Sequence, residues 1–208
     1  MFRAINLFIP LLLVATFNNI VYAQNDKQKY EVIRPAQSTQ TGDKIEVLEV
    51  FSYACSHCNS LDPYIDKWME TKPAHVEFRR MPVLFNNTYF VLAKAYYSIE
   101  KMGVLDKVHK PLFDAIHRQK LKFFSEKELR KFFVKLGIDS DKFTRIYNSN
   151  EIDIKVKQAD TMVKKYGVSL VPTFIVNGRY LTHSGLTDSN EGTLEVVNQL
   201  IEIESKQE

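Results

Sequence analysis

The chain reads as an α/β domain interrupted by an all-helical insertion. Two observations carry most of that reading. Strand patterns, an apolar run at Ile45–Phe51 and an alternating stretch at Val76–Met81, give way to apolar residues at helical spacing and return at Thr173–Val176. The only two cysteines, Cys55 and Cys58, stand C-x-x-C where a strand pattern gives way to a helix pattern.

Taken in order, the first residues read as an export signal. Arg3 supplies a positive start, and Leu7 to Phe17 is an apolar run of about eleven residues, too short to span a bilayer. Small Ala23 precedes polar Gln24-Asn25-Asp26, so cleavage is expected after Ala23. An uncleaved anchor is the alternative. Residues 24–43 are polar, without a clear period, and read as a mobile N-terminal arm. Ile45 to Phe51 reads as a strand. Leu61, Ile65, Trp68 and Met69 follow at helical spacing, in a helix from Cys55 to about Lys72 that Pro63 should kink. Val76 to Met81 alternates as a second strand, which Pro82 helps to end.

The middle of the chain is helical. Phe90, Ala93 and Tyr97 mark a helix over Tyr89–Met102, stopped by Gly103. Val108, Leu112 and Ile116 mark a second over about 104–118. Ser125-Glu126-Lys127-Glu128 is a capping box that opens a third, with Leu129, Phe132, Phe133 and Leu136 on its buried face. Asp139–Tyr147 and Asp153–Tyr166 complete the block. Sheet pattern then returns at Thr173-Phe174-Ile175-Val176. Asn177-Gly178 is a two-residue hairpin signal leading to Arg179-Tyr180-Leu181, and a last helix covers about 190–204. The order is β-α-β, a helical block, then α-β-β-α. The limits that follow are 1–23 for the signal peptide, 24–43 for the arm, 44–84 with 160–208 for the discontinuous α/β domain, and 85–159 for the helical insertion.

Formal net charge is +3, or +2 without Arg3, and the charges are mixed rather than clustered. Arg79-Arg80 and Lys164-Lys165 read as solvated pairs, and nothing points to nucleic acid. The exported chain would work in the periplasm, where disulfides persist.

Chemistry concentrates at Cys55-Ser56-His57-Cys58. A sulfur at a helix start faces unpaired N–H groups and the positive end of the dipole, which favour a thiolate. Cys55 is nearer that start and is the expected attacking thiol; Cys58, one turn further in, is the shielded partner. His57 could further stabilise the Cys55 thiolate, or be a solvent-facing residue without a role. Stabilising the thiolate favours the reduced protein, so its disulfide is readily passed on. Zinc would need four ligands, and His75, His109, His117 and His183 show no paired spacing, so no metal and no cofactor beyond the disulfide is expected. An inert structural disulfide would close too small a loop to matter much. Glu49 shares a strand face with Ile45, Val47 and Phe51. If buried, its raised carboxyl could exchange a proton with Cys58 through water; at a strand edge it would simply reach solvent. Pro172 begins a strand, and sequence alone favours a trans Val171–Pro172 bond.

With these residues placed, the chain resembles the thioredoxin superfamily, and within it the DsbA family of periplasmic disulfide oxidases. The resemblance rests on Val47-Leu48-Glu49-Val50-Phe51-Ser52-Tyr53-Ala54-Cys55-Ser56-His57-Cys58 and on residues 167–180, and spans about 30–205. It implies a thioredoxin fold with a helical domain inserted after the second strand. It implies Cys55 as nucleophile, Cys58 as resolving thiol, Glu49 as the buried acid, and Val171-Pro172 as a cis-proline loop beside them. It implies reduced, unfolded secreted proteins as substrates and re-oxidation by a DsbB-like membrane quinone reductase. One departure is Ser56, where the family commonly has proline. A disulfide isomerase or reductase remains an alternative, although little chain precedes the first strand and Val171 stands where isomerases usually have threonine. A peptide-binding chaperone without redox turnover is a third reading.

Overall fold

The computed structural model describes residues 28–206, so the expected signal peptide, 1–23, lies outside the described residues. Its elements in chain order are β1 (Glu31–Val32), β2 (Ile45–Phe51), α1 (Ser56–Thr71), β3 (Val76–Pro82), α2 (Asn87–Lys101), α3 (Leu105–His117), α4 (Glu126–Lys135), α5 (Ser140–Tyr147), α6 (Asn150–Tyr166), β4 (Thr173–Val176), β5 (Tyr180–His183) and α7 (Asn190–Ser205). The sheet order is β1-β5-β4-β2-β3. β2 runs parallel to β3 and antiparallel to β4.

β2 is buried along its whole length because both sheet faces are covered. Ile45 and Val47 pack on one face with Leu61, Ile65 and Trp68 of α1 and with Val197, Leu200 and Ile201 of α7. Leu48 and Val50 pack on the other with Val91 and Leu92 of α2 and Val156, Ala159 and Val163 of α6. Phe51 departs from the expected alternation. It joins this second cluster and meets Tyr96 and Phe113, because the strand ends where the helical block closes over the sheet.

The helix ends follow local chemistry. Asn86, Ser125, Asp139, Ser149 and Ser189 each accept a first-turn N–H, and Ser125 with Glu128 completes the capping box. Gly167 ends α6 at φ 70°. α6 starts at Asn150, earlier than its apolar stripe suggests, and runs unbroken past position 159. The expected limit between insertion and α/β domain therefore falls inside one helix. α1 likewise continues through Pro63 as a single helix. Met69 and Phe90, counted in the apolar stripes, lie at the margins of their helices and stay largely exposed.

Within the segment read as a mobile arm, Glu31–Val32 form β1 and join the sheet. Glu31 and Val32 pair with Leu181 and Tyr180 of β5. The Ile33 N–H donates to the Arg179 carbonyl at 2.7 Å and the Gln37 N–H to the Gly178 carbonyl at 2.9 Å. A two-residue strand is too short to show a period, and its partner lies far along the chain. The hairpin it joins is the one announced by Asn177-Gly178, with φ of 50° and 65° and the Arg179 N–H closing on the Val176 carbonyl at 3.0 Å.

A Cβ on Gly178 would stand 2.0 Å from the Gln37 carbonyl oxygen, at a positive φ. Gly178→Ala is expected to cost ~2–4 kcal/mol in urea melts and to speed hydrogen exchange at Ile33 and Gln37. A variant within about 0.5 kcal/mol of wild type would show that the arm is not held against this hairpin.

Candidate active site

The site begins with how β2 hands over to α1. The chain leaves the sheet at Phe51 and turns through Ser52-Tyr53-Ala54. The Cys55 N–H donates to the Ser52 carbonyl at 3.0 Å, and the Ala54 N–H to Ser52 Oγ at 3.2 Å. Cys55 is the N-cap of α1, in extended conformation, and its Sγ accepts the Cys58 N–H at 3.4 Å. A sulfur therefore fills the place that a serine or aspartate oxygen takes at an ordinary helix start.

This position separates the two thiols, both of which are free. The Cys58 S–H donates to the Cys55 sulfur, and that bond does most to lower the Cys55 pKa to about 6. Burial works against the shift; the N–H groups of Cys58 and His57 and the imidazole charge of His57 add to it. Cys58 is 0% exposed, and burial pushes its thiol up, together with the same S–H···S hydrogen bond and the Glu49 carboxylate. His57 itself lies exposed on the first turn.

Val171 and Pro172 close the other side. The Val171–Pro172 peptide is cis, as is Arg34–Pro35. Pro172 is buried, and the Val171 carbonyl accepts the Cys55 thiol proton at 3.3 Å. Residues 116 positions apart in sequence thus meet at one sulfur.

Beneath the cysteines lies a cluster of buried charge. Glu49 is 2% exposed. Burial pushes its carboxyl up, while the Arg80 guanidinium, with Nε donating to Oε2 at 2.7 Å, opposes the rise. Arg80 Nη2 also donates to Asp62 Oδ1 at 2.9 Å. For Asp62, burial is outweighed by the hydrogen bond from His109 and by the cations Arg80 and Lys110, which hold it below the usual carboxylate range. Arg80 is therefore no part of a solvated pair. Its neighbour Arg79 reaches the buried Glu46 at 2.9 Å. Alternation along β3 sends the two arginines to opposite sheet faces, each to its own carboxylate. Lys164 does lie in solvent, paired with Asp160 one turn earlier.

The sequence reading singled out Glu49 but not Asp62, Arg80, Tyr53 or His109. Two signals were available. In the parallel register Arg80 lies directly opposite Glu49. Asp62 is four residues after Cys58, on the same helix face.

Residues 46–191 match the family model described as a DSBA-like thioredoxin domain. The thiol:disulfide interchange protein DsbA of Pseudomonas aeruginosa is 38% identical over 178 residues, covering 86% of this chain and 84% of that one. The protein of the same name from Azotobacter vinelandii is 38% identical over 161 residues, 77% and 75% of the two chains. The crystal structure of P. aeruginosa DsbA superposes with a TM-score of 0.83 at 35% identity, over 86% of this chain and 93% of that one. DsbA from Xylella fastidiosa gives 0.80 at 27% identity, over 86% and 96%. The chain belongs to the DsbA-like thioredoxin-domain family, with the thioredoxin fold and its helical insertion, and it is a disulfide oxidoreductase.

The depressed Cys55 pKa links redox state to stability. A thiol in the unfolded chain titrates near 8.5, and Cys55 in the reduced fold near about 6. The thiolate therefore adds stability to the reduced form that is complete above pH ~8.5 and is lost as pH falls through about 6. Cys58, shifted the other way, stays protonated across this window. Denaturant melts are expected to show the reduced form more stable than the oxidised at pH 8, with the difference shrinking by about 2 kcal/mol by pH 5. A difference that does not change with pH would mean that Cys55 is not a stabilised thiolate.

Proposed function

We propose that the protein donates a Cys55–Cys58 disulfide to reduced, unfolded exported proteins in the periplasm. The observation that carries this direction is the asymmetry of the two sulfurs. Cys55 stands at the helix start with its pKa lowered to about 6, and Cys58 is wholly buried with its thiol raised. An acidic thiol is a good leaving group and its thiolate a stable product, so the equilibrium favours handing the disulfide on.

In the forward step a substrate thiolate attacks Cys55 Sγ. An S–S bond forms between substrate and Cys55, and the Cys55–Cys58 bond breaks. The electron pair leaves on Cys58, which takes up a proton because its burial opposes a thiolate. Glu49 is the proton source we assign, through intervening water: its carboxyl is buried and raised, and its charge is felt at Cys58. A second substrate thiolate then attacks the substrate sulfur of the mixed disulfide and expels Cys55 as thiolate. The substrate leaves oxidised by two electrons and the protein holds the dithiol. The N–H groups and imidazole of His57 and the Cys58 N–H receive the returning charge.

Val171 and Pro172 border Cys55 and are the backbone against which an extended substrate would lie. The reaction needs no cofactor beyond the cysteine pair, and among the described residues no group of three or more His, Cys, Asp and Glu is arranged to hold a metal ion. Regeneration requires an electron acceptor, and a DsbB-like membrane quinone reductase fits the family resemblance. The apolar leader with Arg3 and Ala23 supports export to the periplasm.

Oxidation of a dithiol peptide tests the direction. Oxidised wild type should oxidise it with transient mixed disulfide; Cys58→Ser, which cannot form the internal disulfide, should leave it reduced but accumulate a mixed disulfide when its Cys55 thiolate attacks the disulfide form of the same peptide; and Cys55→Ser should be inert with both. A redox equilibrium with glutathione lying on the disulfide side would point to a reductase instead; no exchange at all would point to a peptide-binding chaperone.

His57→Ala gives a finer test. The His57 side chain is exposed and the main-chain donors survive the substitution. The Cys55 pKa is expected to rise by about one unit or less, making the protein less oxidising by up to ~1.4 kcal/mol. An unchanged glutathione equilibrium would remove the imidazole from the mechanism.

A further inference from the structure

Tyr53 lies two residues before Cys55 and is held by three residues of α3. The ring centroids of His109 and Phe113 lie 5.2 Å and 4.9 Å from its own. His109 Nδ1 is 2.8 Å from its hydroxyl, and His117 Nε2 is 2.8 Å from its backbone carbonyl oxygen. His109, Phe113 and His117 are spaced i, i+4, i+8, a single stripe along the helix. Tyr53 is 1% exposed and its hydroxyl bond to His109 is buried, while His117 reaches its carbonyl from a half-buried position.

The donors and acceptors are fixed by elimination. A carbonyl oxygen only accepts, so His117 Nε2 carries a proton and donates to Tyr53. Asp62 is a carboxylate, so His109 Nε2, 3.0 Å from its Oδ1, also donates. Burial keeps His109 neutral, so its Nδ1 has no proton and accepts from the Tyr53 hydroxyl. The chain runs one way, from Tyr53 through His109 to Asp62, and Arg80 closes it onto Glu49.

The contacts bracket the nucleophile. Tyr53 precedes Cys55 in the turn, and Asp62 follows it in α1. α3 grips both, and Lys110 adds an ion pair to Asp66 further along α1. We propose that His109 and His117 are positioning residues for the redox turn: through Tyr53 and Asp62 the helical insertion fixes the start of α1, and with it the N–H groups that face the Cys55 sulfur. The proposal rests on the disulfide-exchange reading above and assigns the insertion a part in it. Ring packing by Phe113 alone would fill the space. It would not fix the direction of the Tyr53 carbonyl, which a hydrogen bond does.

The test uses the mature protein with Tyr53→Phe, His117→Leu and His117→Gln. Thiolate absorbance against pH reads the Cys55 pKa, and equilibration with glutathione reads its oxidising strength. Tyr53→Phe and His117→Leu are expected to raise the Cys55 pKa by about half to one unit and to shift the glutathione equilibrium about threefold to tenfold toward the protein disulfide. His117→Gln keeps an amide donor at the reach of Nε2 and should return within about twofold of wild type. Variants that lose stability in denaturant yet keep the wild-type pKa and equilibrium would overturn the proposal and leave the histidines as core residues only. If His117→Leu does not fold, His117→Asn, whose amide stops short of the reach of Nε2, takes its place with the same expected shifts, while Tyr53→Phe, which keeps the ring and loses only the hydroxyl, tests the His109 arm. A wild type that does not exchange with glutathione overturns the disulfide-exchange reading and this proposal together; normal exchange with unchanged variants overturns the proposal alone.

Discussion

The first backbone N–H groups of α1 have no partner within the helix, and Cys55 Sγ stands where they converge. Much of the surrounding structure serves to hold a sulfur at that point. β2 must end at Phe51 so that the turn can place Cys55 at the cap. The sheet must bring β4 antiparallel to β2 so that Val171 and Pro172 arrive beside it. β2 can be rigid enough for this because it is an interior strand, paired on both sides and covered on both faces.

The helix start favours charge on Cys55; the buried cluster denies it to Cys58. Glu49 and Asp62 are two carboxylates against one guanidinium, with a neutral His109 completing the hydrogen bonds. Placing such groups out of water costs several kcal/mol per ion before pairing is counted. Their arrangement therefore calls for a reason beyond stability. The negative charge of Glu49 falls on the sulfur that is already buried, and the positive end of the helix falls on the one at its mouth. Two chemically identical side chains, three residues apart, are driven to opposite protonation states. That asymmetry gives a mixed disulfide one resolving direction.

Much of this was legible in the sequence, for reasons that can be named. An apolar run marks β2, which is buried on both faces, alternation marks β3, and a short apolar strand pattern with its hairpin turn marks β4 and β5. The capping box at Ser125 and the Asn177-Gly178 turn were read from local chemistry alone, and local chemistry formed them. The C-x-x-C between strand and helix located the site. What escaped were pairings made at a distance. β1 has two residues and a partner in β5, so no window of sequence contains its signal. Arg80 looked solvated because an arginine pair usually is, and only the register of β2 against β3 sets it opposite Glu49. The i, i+8 spacing of His109 and His117 on one helix is no zinc-ligand signal in the sequence. They matter through Tyr53, which lies more than fifty residues earlier.

Ser56 stands at the first helical position of α1. A proline there would fix φ and remove an N–H that has no helical partner anyway. The backbone donors that lower the Cys55 pKa belong to His57 and Cys58, one and two residues further in. Serine at position 56 therefore leaves the stabilising donors in place. What it gives up is a rigid φ at the start of α1. The same restraint is available from outside the motif, since α3 holds the backbone before Cys55 at the Tyr53 carbonyl and the helix after it at Asp62.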